Sequence, residues 1–254
     1  YIRIGYQRGA AIDNWRRIIA TVIEKDSFCS DTINYIVSPK ECNLFTILAL
    51  LNSSLWEWRF RLTSTNNHVN SYEIDSMPMA PISFTTPEKE RKGFLKEAVN
   101  LYKGSKYEDI LKWAVYELAL KRNDTIHDAL AFLAEQIIEL NKAKNEESKG
   151  FLKWLEREIG AEIEELKNKT NIKKYHEHDF NHLLEILKKN KNKISINPSD
   201  RGKQELLERH FTKSMSVLEP LKTKIEKTDE LIDEIVYKLY GLTEEEVGIV
   251  KGGI

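Results

Sequence analysis

Ser38 to Leu62, "SPKECNLFTILALLNSSLWEWRFRL", is the stretch on which the fold turns. Ser38, Pro39 and Glu41 have the form of a capping box. They supply a hydroxyl for the first orphan N–H groups, a ring already at helical φ, and a carboxylate that reaches back. Leu44, Leu48, Leu51, Leu55, Trp58 and Leu62 follow at alternating spacings of four and three, which predicts a central helix over 39–62 with one continuous apolar face. Such a face needs a partner. The β-rich part of the chain, residues 1–37, supplies it: "IRIGY" and "TINYIV" alternate and are rich in Ile, Val, Thr and Tyr, which predicts three or so strands.

Downstream of the helix, "FRLTSTNNHVNSYEIDSMPMAPI", Phe60 to Ile82, dissolves into small polar residues and leaves through Pro78 and Pro81. The run reads either as a solvated loop that caps the helix, since Asn tolerates the left-handed conformation, or as a surface presenting hydrogen-bonding groups. Beyond Pro87 the chain turns helical and Lys/Glu-rich. Ser105-x-x-Glu108 predicts one helix start, Asp124-Thr125 another that runs to about Lys142, and "NKAKNEESK", 141–149, a polar hinge. A His-bearing helix near 179–190, a lysine-rich loop and a long helix follow. Thr228 is read as the cap of "DELIDEIVYKLY", Gly241 as its stop, and Thr243-x-x-Glu246 as the cap of a last short helix. The expected class is α+β: a small β-rich domain on an amphipathic helix over 1–86, a helical segment over 87–145, and a helical C-terminal region over 146–254.

Composition bounds the function. The chain has 254 residues, is 41% hydrophobic and carries a net charge of −1, which argues against a general polyanion binder. Its longest apolar run is far below the ~20 residues of a membrane span. Two cysteines, Cys29 and Cys42, form no motif, so a reducing cytoplasm is expected. The chain opens without Met in the alternating "YIRIGY", which reads as a piece of a longer protein. Charge type is unevenly spread: residues 1–84 hold eight cations, of which Arg3, Arg8, Arg16, Arg17, Arg59 and Arg61 are the forked donors suited to phosphate or guanine. The same segment holds eight acidic residues, so pairing among themselves is the competing reading.

Motifs for chemistry are weak. "HDFNH" places His178 and His182 one turn apart like a zinc-protease helix, but His176 would face elsewhere and no third ligand is apparent. "INPSD", Ile196 to Asp200, lacks the second Pro and the aromatic of an amino-methyltransferase loop, and reads as a turn and cap. With no Gly-rich phosphate or adenosyl-methionine loop, this chain is not expected to be an enzyme by itself, and no catalytic or metal residue is assigned.

"WRRIIATVIEKDSFCSDTINYIVSP", "LFTILALLNSSLWEWRFRLTS" and "NNHVNSYEIDSMPMAPI" resemble, in that order, the TaqI-like C-terminal specificity domain of adenine-specific DNA methyltransferases and fused type IIG restriction-modification enzymes. "KTDELIDEIVYKLYGLTEEEVGIVKG" resembles the closing segment of the same proteins. The resemblance implies a target recognition domain that reads double-stranded DNA beside methyltransferase and, in some members, nuclease domains of the same polypeptide. S-adenosylmethionine and magnesium would then serve those parent domains, with no cofactor in this segment. The alternative is a helical protein-interaction scaffold that docks the catalytic domains without reading DNA.

The DNA-facing candidates rest on the residues themselves. Asn pairs bidentately with adenine, Ser and Thr serve base edges or phosphate, and Arg grips guanine. Thr65, Asn66, Asn67, His68 and Asn70 are the candidate base readers. Arg3, Arg8, Arg16, Arg17, Arg59 and Arg61 are the candidate grips, with Arg16 and Arg17 favoured for phosphate.

Overall fold

The structure, a computed structural model, describes residues 1–37 and 42–252. Three short strands, β1 (Arg3–Gln7), β2 (Ala20–Ile23) and β3 (Ile33–Val37), form an antiparallel sheet in the order β2-β1-β3. Ile4 stands opposite Val22 and Ile36, and Gly5 opposite Thr21 and Tyr35. Alternation thus sends Ile4 and Tyr6 into the core and turns Gly5 to the opposite face, where it too is buried, against Ile23 and Ile33. A Cβ on Gly5 would lie 2.5 Å from Ile23 Cδ1, so its outward side is filled by its neighbours.

The central helix expected over 39–62 is two helices, α1 (Leu44–Leu51) and α2 (Ser54–Thr63). The expected capping box at 38–41 lies outside the described residues. The observed cap of α1 is Asn43, whose side chain accepts from Phe45 N. The break at Asn52-Ser53 has identifiable causes. Asn52 turns its carboxamide to β2, accepting from Ala20 N at 3.1 Å and donating to Ala20 O at 3.0 Å. Ser53 caps α2, and Asp233 accepts from both Ser54 N (2.7 Å) and Ser54 Oγ. After the break the apolar face changes phase. Leu62, expected in the core, is exposed, while Trp56 and Phe60 are buried.

The helices that follow are α3 (Ser71–Asp75), α4 (Glu88–Lys103), α5 (Tyr107–Ala119), α6 (Asn123–Ile159), α7 (Lys169–Lys173), α8 (Phe180–Lys189), α9 (Arg201–Leu239) and α10 (Glu244–Gly252). Three expectations change. The hinge at 141–149 is helical throughout: a polar run of Lys, Ala, Asn and Glu without Gly or Pro sustains a helix that has a solvated face. Thr228 caps nothing; it lies inside α9, fully buried, with its hydroxyl 2.9 Å from the Tyr102 hydroxyl. Ser105 sits at φ 56°, ahead of a helix that begins at Tyr107. The Gly241 stop, at φ 70°, and the Thr243–Glu246 cap are present.

The chain forms two compact units whose limits differ from 86 and 145. One comprises Tyr1–Ile138 with Lys227–Ile254, the other Glu139–Glu226. In the first, Ile4, Tyr6 and Ile18 join Leu48, Leu50, Leu51 and Phe60 in a core that also takes Ile235, Val236 and Tyr237 from the end of α9. The last turns of the chain therefore complete the domain that its first residues begin. The second unit gathers Phe151, Leu155, Ile172, Tyr175, Leu187 and Phe211; Tyr175 packs tilted against Phe151 with centroids 4.1 Å apart and bonds Ser214 through its hydroxyl. No helix among the described residues is long and apolar enough to cross a membrane.

Candidate nucleic-acid interface

The polar run after α2 is held by buried charge. Arg17, 1% exposed, lies over the Phe60 ring and donates to the carbonyls of Ser64, Asn66 and His68. Burial lowers its pKa, and the nearby Glu73 and Glu57 carboxylates act against that shift. Glu57, itself buried, accepts from the backbone N–H groups of Arg17 (3.0 Å) and Ile18 (2.8 Å) and from Arg61 Nε at 2.6 Å. Arg61 then donates through its outer nitrogens to the carbonyls of Ile12, Asn14 and Trp15. One carboxylate and two guanidinium groups thus fix two segments, 12–17 and 64–68. A forked donor suits this role because it can serve several fixed acceptors at once.

The two segments also bond each other. Ala10 N donates to Asn67 O at 3.0 Å, Ile12 N to Asn67 Oδ1 at 3.2 Å, and Val69 N to Arg8 O at 2.8 Å, with Gly9 and His68 in an antiparallel bridge. Asn66 Oδ1 accepts from His68 N, closing a local turn. Asn70 forms a capping box with Glu73, whose carboxylate accepts from Asn70 N and Nδ2, each at 2.9 Å. Burial works to raise the Glu73 pKa, but the hydrogen bonds from Asn70 and the Arg17 charge bring it below the ordinary value.

The expected site residues therefore separate into groups. Thr65, Asn67 and His68 are exposed, and no hydrogen bond of the Thr65 hydroxyl or the His68 ring occurs among the described residues. The Asn67 carboxamide oxygen serves Ile12, which leaves its NH2 group outward. Asn66 and Asn70 are half-buried and mainly shape the backbone. Arg8 and Arg59 have no side-chain partner among the described residues. The favoured phosphate contacts are corrected: Arg17 is buried on carbonyls, and Arg16 turns inward to Asn52 O and the charges of Asp229 and Asp233. Arg61 is likewise taken up by carbonyls, and Arg3 donates to Ser27 O and lies over the Tyr35 ring. Counting arginines does not reveal this, because a guanidinium satisfies backbone carbonyls as readily as phosphate oxygens.

Sequence reasoning passed over Trp15. It is 82% exposed on the segment that Arg61 holds by its carbonyls, with Ile12 exposed three residues before it. A Trp in a short polar connection between strands, outside any periodic pattern, is the signal that could have found it. His178 and His182 face each other with ring centroids 4.3 Å apart, and no group of three or more His, Cys, Asp and Glu able to hold a metal occurs among the described residues. A cleft of about 490 Å³, lined in part by Tyr107, Lys227 and Glu230, shares no residue with the clamped loops.

A family model described as a domain of unknown function (DUF8810) matches residues 123–236, which covers the whole of the second unit and none of the clamped loops. No curated protein and no solved structure matches the chain.

Proposed function

We propose that the chain is the target recognition part of a restriction-modification enzyme or N6-adenine DNA methyltransferase, reading double-stranded DNA while other domains of the same polypeptide carry out the chemistry. One observation carries this reading. Segments 8–15 and 64–70 are held together by buried Arg17 and Glu57 and half-buried Arg61, and that base presents Thr65, Asn67, His68, Arg8 and Trp15 to solvent. Rigid presentation lowers the ordering cost of recognition, and these side chains include donors and acceptors suited to base edges. S-adenosylmethionine and magnesium belong, on this reading, to the parent's catalytic domains.

A second reading, a scaffold that docks methyltransferase or nuclease domains without reading DNA, is favoured by the engagement of Arg3, Arg16, Arg17 and Arg61 within the chain. Selection from a pool of randomised duplexes by the immobilised chain at low salt separates the two. Enrichment of one short motif supports recognition. A retained pool without any shared motif, together with capture of the parent's methyltransferase domain, supports the scaffold and sinks the first reading.

A further inference from the structure

With four arginines of the first unit engaged internally, the grip on phosphate needs another source. Charge is unequally divided. Glu139–Glu226 holds 19 Lys and Arg against 16 Asp and Glu, whereas the remainder of the chain holds 20 against 24. Within the second unit eight of these Lys fall over 166–193, against Glu177, Asp179 and Glu185 in the same span and Glu162, Glu164 and Glu165 just before it. Lys167, Lys169, Lys173 and Lys174 stand on and just either side of α7; Lys188, Lys189, Lys191 and Lys193 stand at the end of α8 and in the loop after it.

The two lysine segments are joined by design of the fold. Asn190, 2% exposed, accepts from Lys167 N at 2.8 Å and donates to Lys167 O at 3.1 Å and to Ile186 O at 2.9 Å. Ile172 and Leu187 share the core beneath. Lys193 reaches Glu165 O, which ties the loop to the same edge. Glu164 holds Lys169 and Lys173, Glu177 holds Lys174, and Glu185 holds Lys188; such exposed pairs are weak and exchange readily. Lys167, Lys189 and Lys191 are exposed and have no side-chain partner among the described residues.

We propose that this lysine junction grips the phosphate backbone of duplex DNA without regard to sequence, a role that rests on the recognition reading above. Lysine is suited to it, as a mobile point charge that neutralises phosphate and carries no base readout. The test uses the full 254-residue chain and a random-sequence duplex at several salt concentrations. Replacing Lys167, Lys189 and Lys191 together by Ala should reduce the slope of log affinity against log salt by about three units, about one per lysine, and leave the thermal transition in place. The triple Arg variant should retain the slope. An unchanged slope in the Ala variant overturns the inference. So does equal retention of polyglutamate through the same lysines, which would mark an acidic-protein surface. A changed slope with no preferred sequence in any pool leaves the phosphate grip standing and removes the recognition reading, whereas His68→Ala altering preference with the lysines inert does the reverse.

Discussion

Replacing Arg17 by Met strands the carbonyls of Ser64, Asn66 and His68 and removes a buried positive charge near Glu73 and Glu57. A loss of about 3 kcal/mol is expected in urea unfolding, since breaking a buried charge network costs far more than its net worth when intact. Arg17→Lys should recover little of it, because one ammonium cannot serve carbonyls placed around a fork. His68 behaves oppositely. Its exposed ring makes no hydrogen bond among the described residues, so His68→Ala should leave unfolding within about 0.5 kcal/mol of the parent. In the parent enzyme it should shift discrimination at one target position by ~1–3 kcal/mol. A large stability loss with unchanged site preference would return the loop to a capping role.

At the scale of elements, α9 carries an acidic pair one turn apart. Burial, and then the neighbouring Asp233, push Asp229 up to about 6, against the pull of Arg16. Asp233 is also raised by burial, despite the hydrogen bonds from Ser54. The folded state therefore binds protons more tightly than the unfolded chain, whose Asp titrates at 3.8. Stability from this source is full below about pH 4 and lost as pH rises through about 6, on the order of 3 kcal/mol for Asp229. Asp229→Asn should flatten that slope and raise stability at pH 7, as read by denaturant midpoints across pH. Asp233 also explains what the sequence did not disclose. The three strands, the Gly241 stop and the Thr243 cap were legible because each depends on neighbouring residues. The break at Asn52-Ser53 was not, because its partners Ala20 and Asp233 lie 32 and 179 residues away. The same holds for the site. Thr65, Asn67 and His68 were legible as an unpatterned polar run, whereas the inward turn of Arg16 and Arg17 follows from tertiary carbonyls that local sequence does not display.

For the whole molecule, the return of α9 and α10 to the first unit has a direct test. Leu231, Ile235, Val236, Tyr237, Val247 and Val250 are buried in the core that contains Ile4 and Leu50. A chain ending at residue 226 should lack a cooperative near-ultraviolet transition for that unit, because a buried aliphatic side chain of this size contributes roughly 1.5–3 kcal/mol and five are removed together with Tyr237. Folded behaviour of residues 1–226 would contradict the division described. The sheet itself stays small at a modest cost. β2 is an edge strand, and the carboxamide of Asn52 occupies both hydrogen-bonding groups of Ala20 on its open side. A strand from another molecule thus meets a rung already filled, and growth by edge pairing is blocked at its first step. The side chain that bends the helix also closes one rung of the β2 edge to a neighbouring strand.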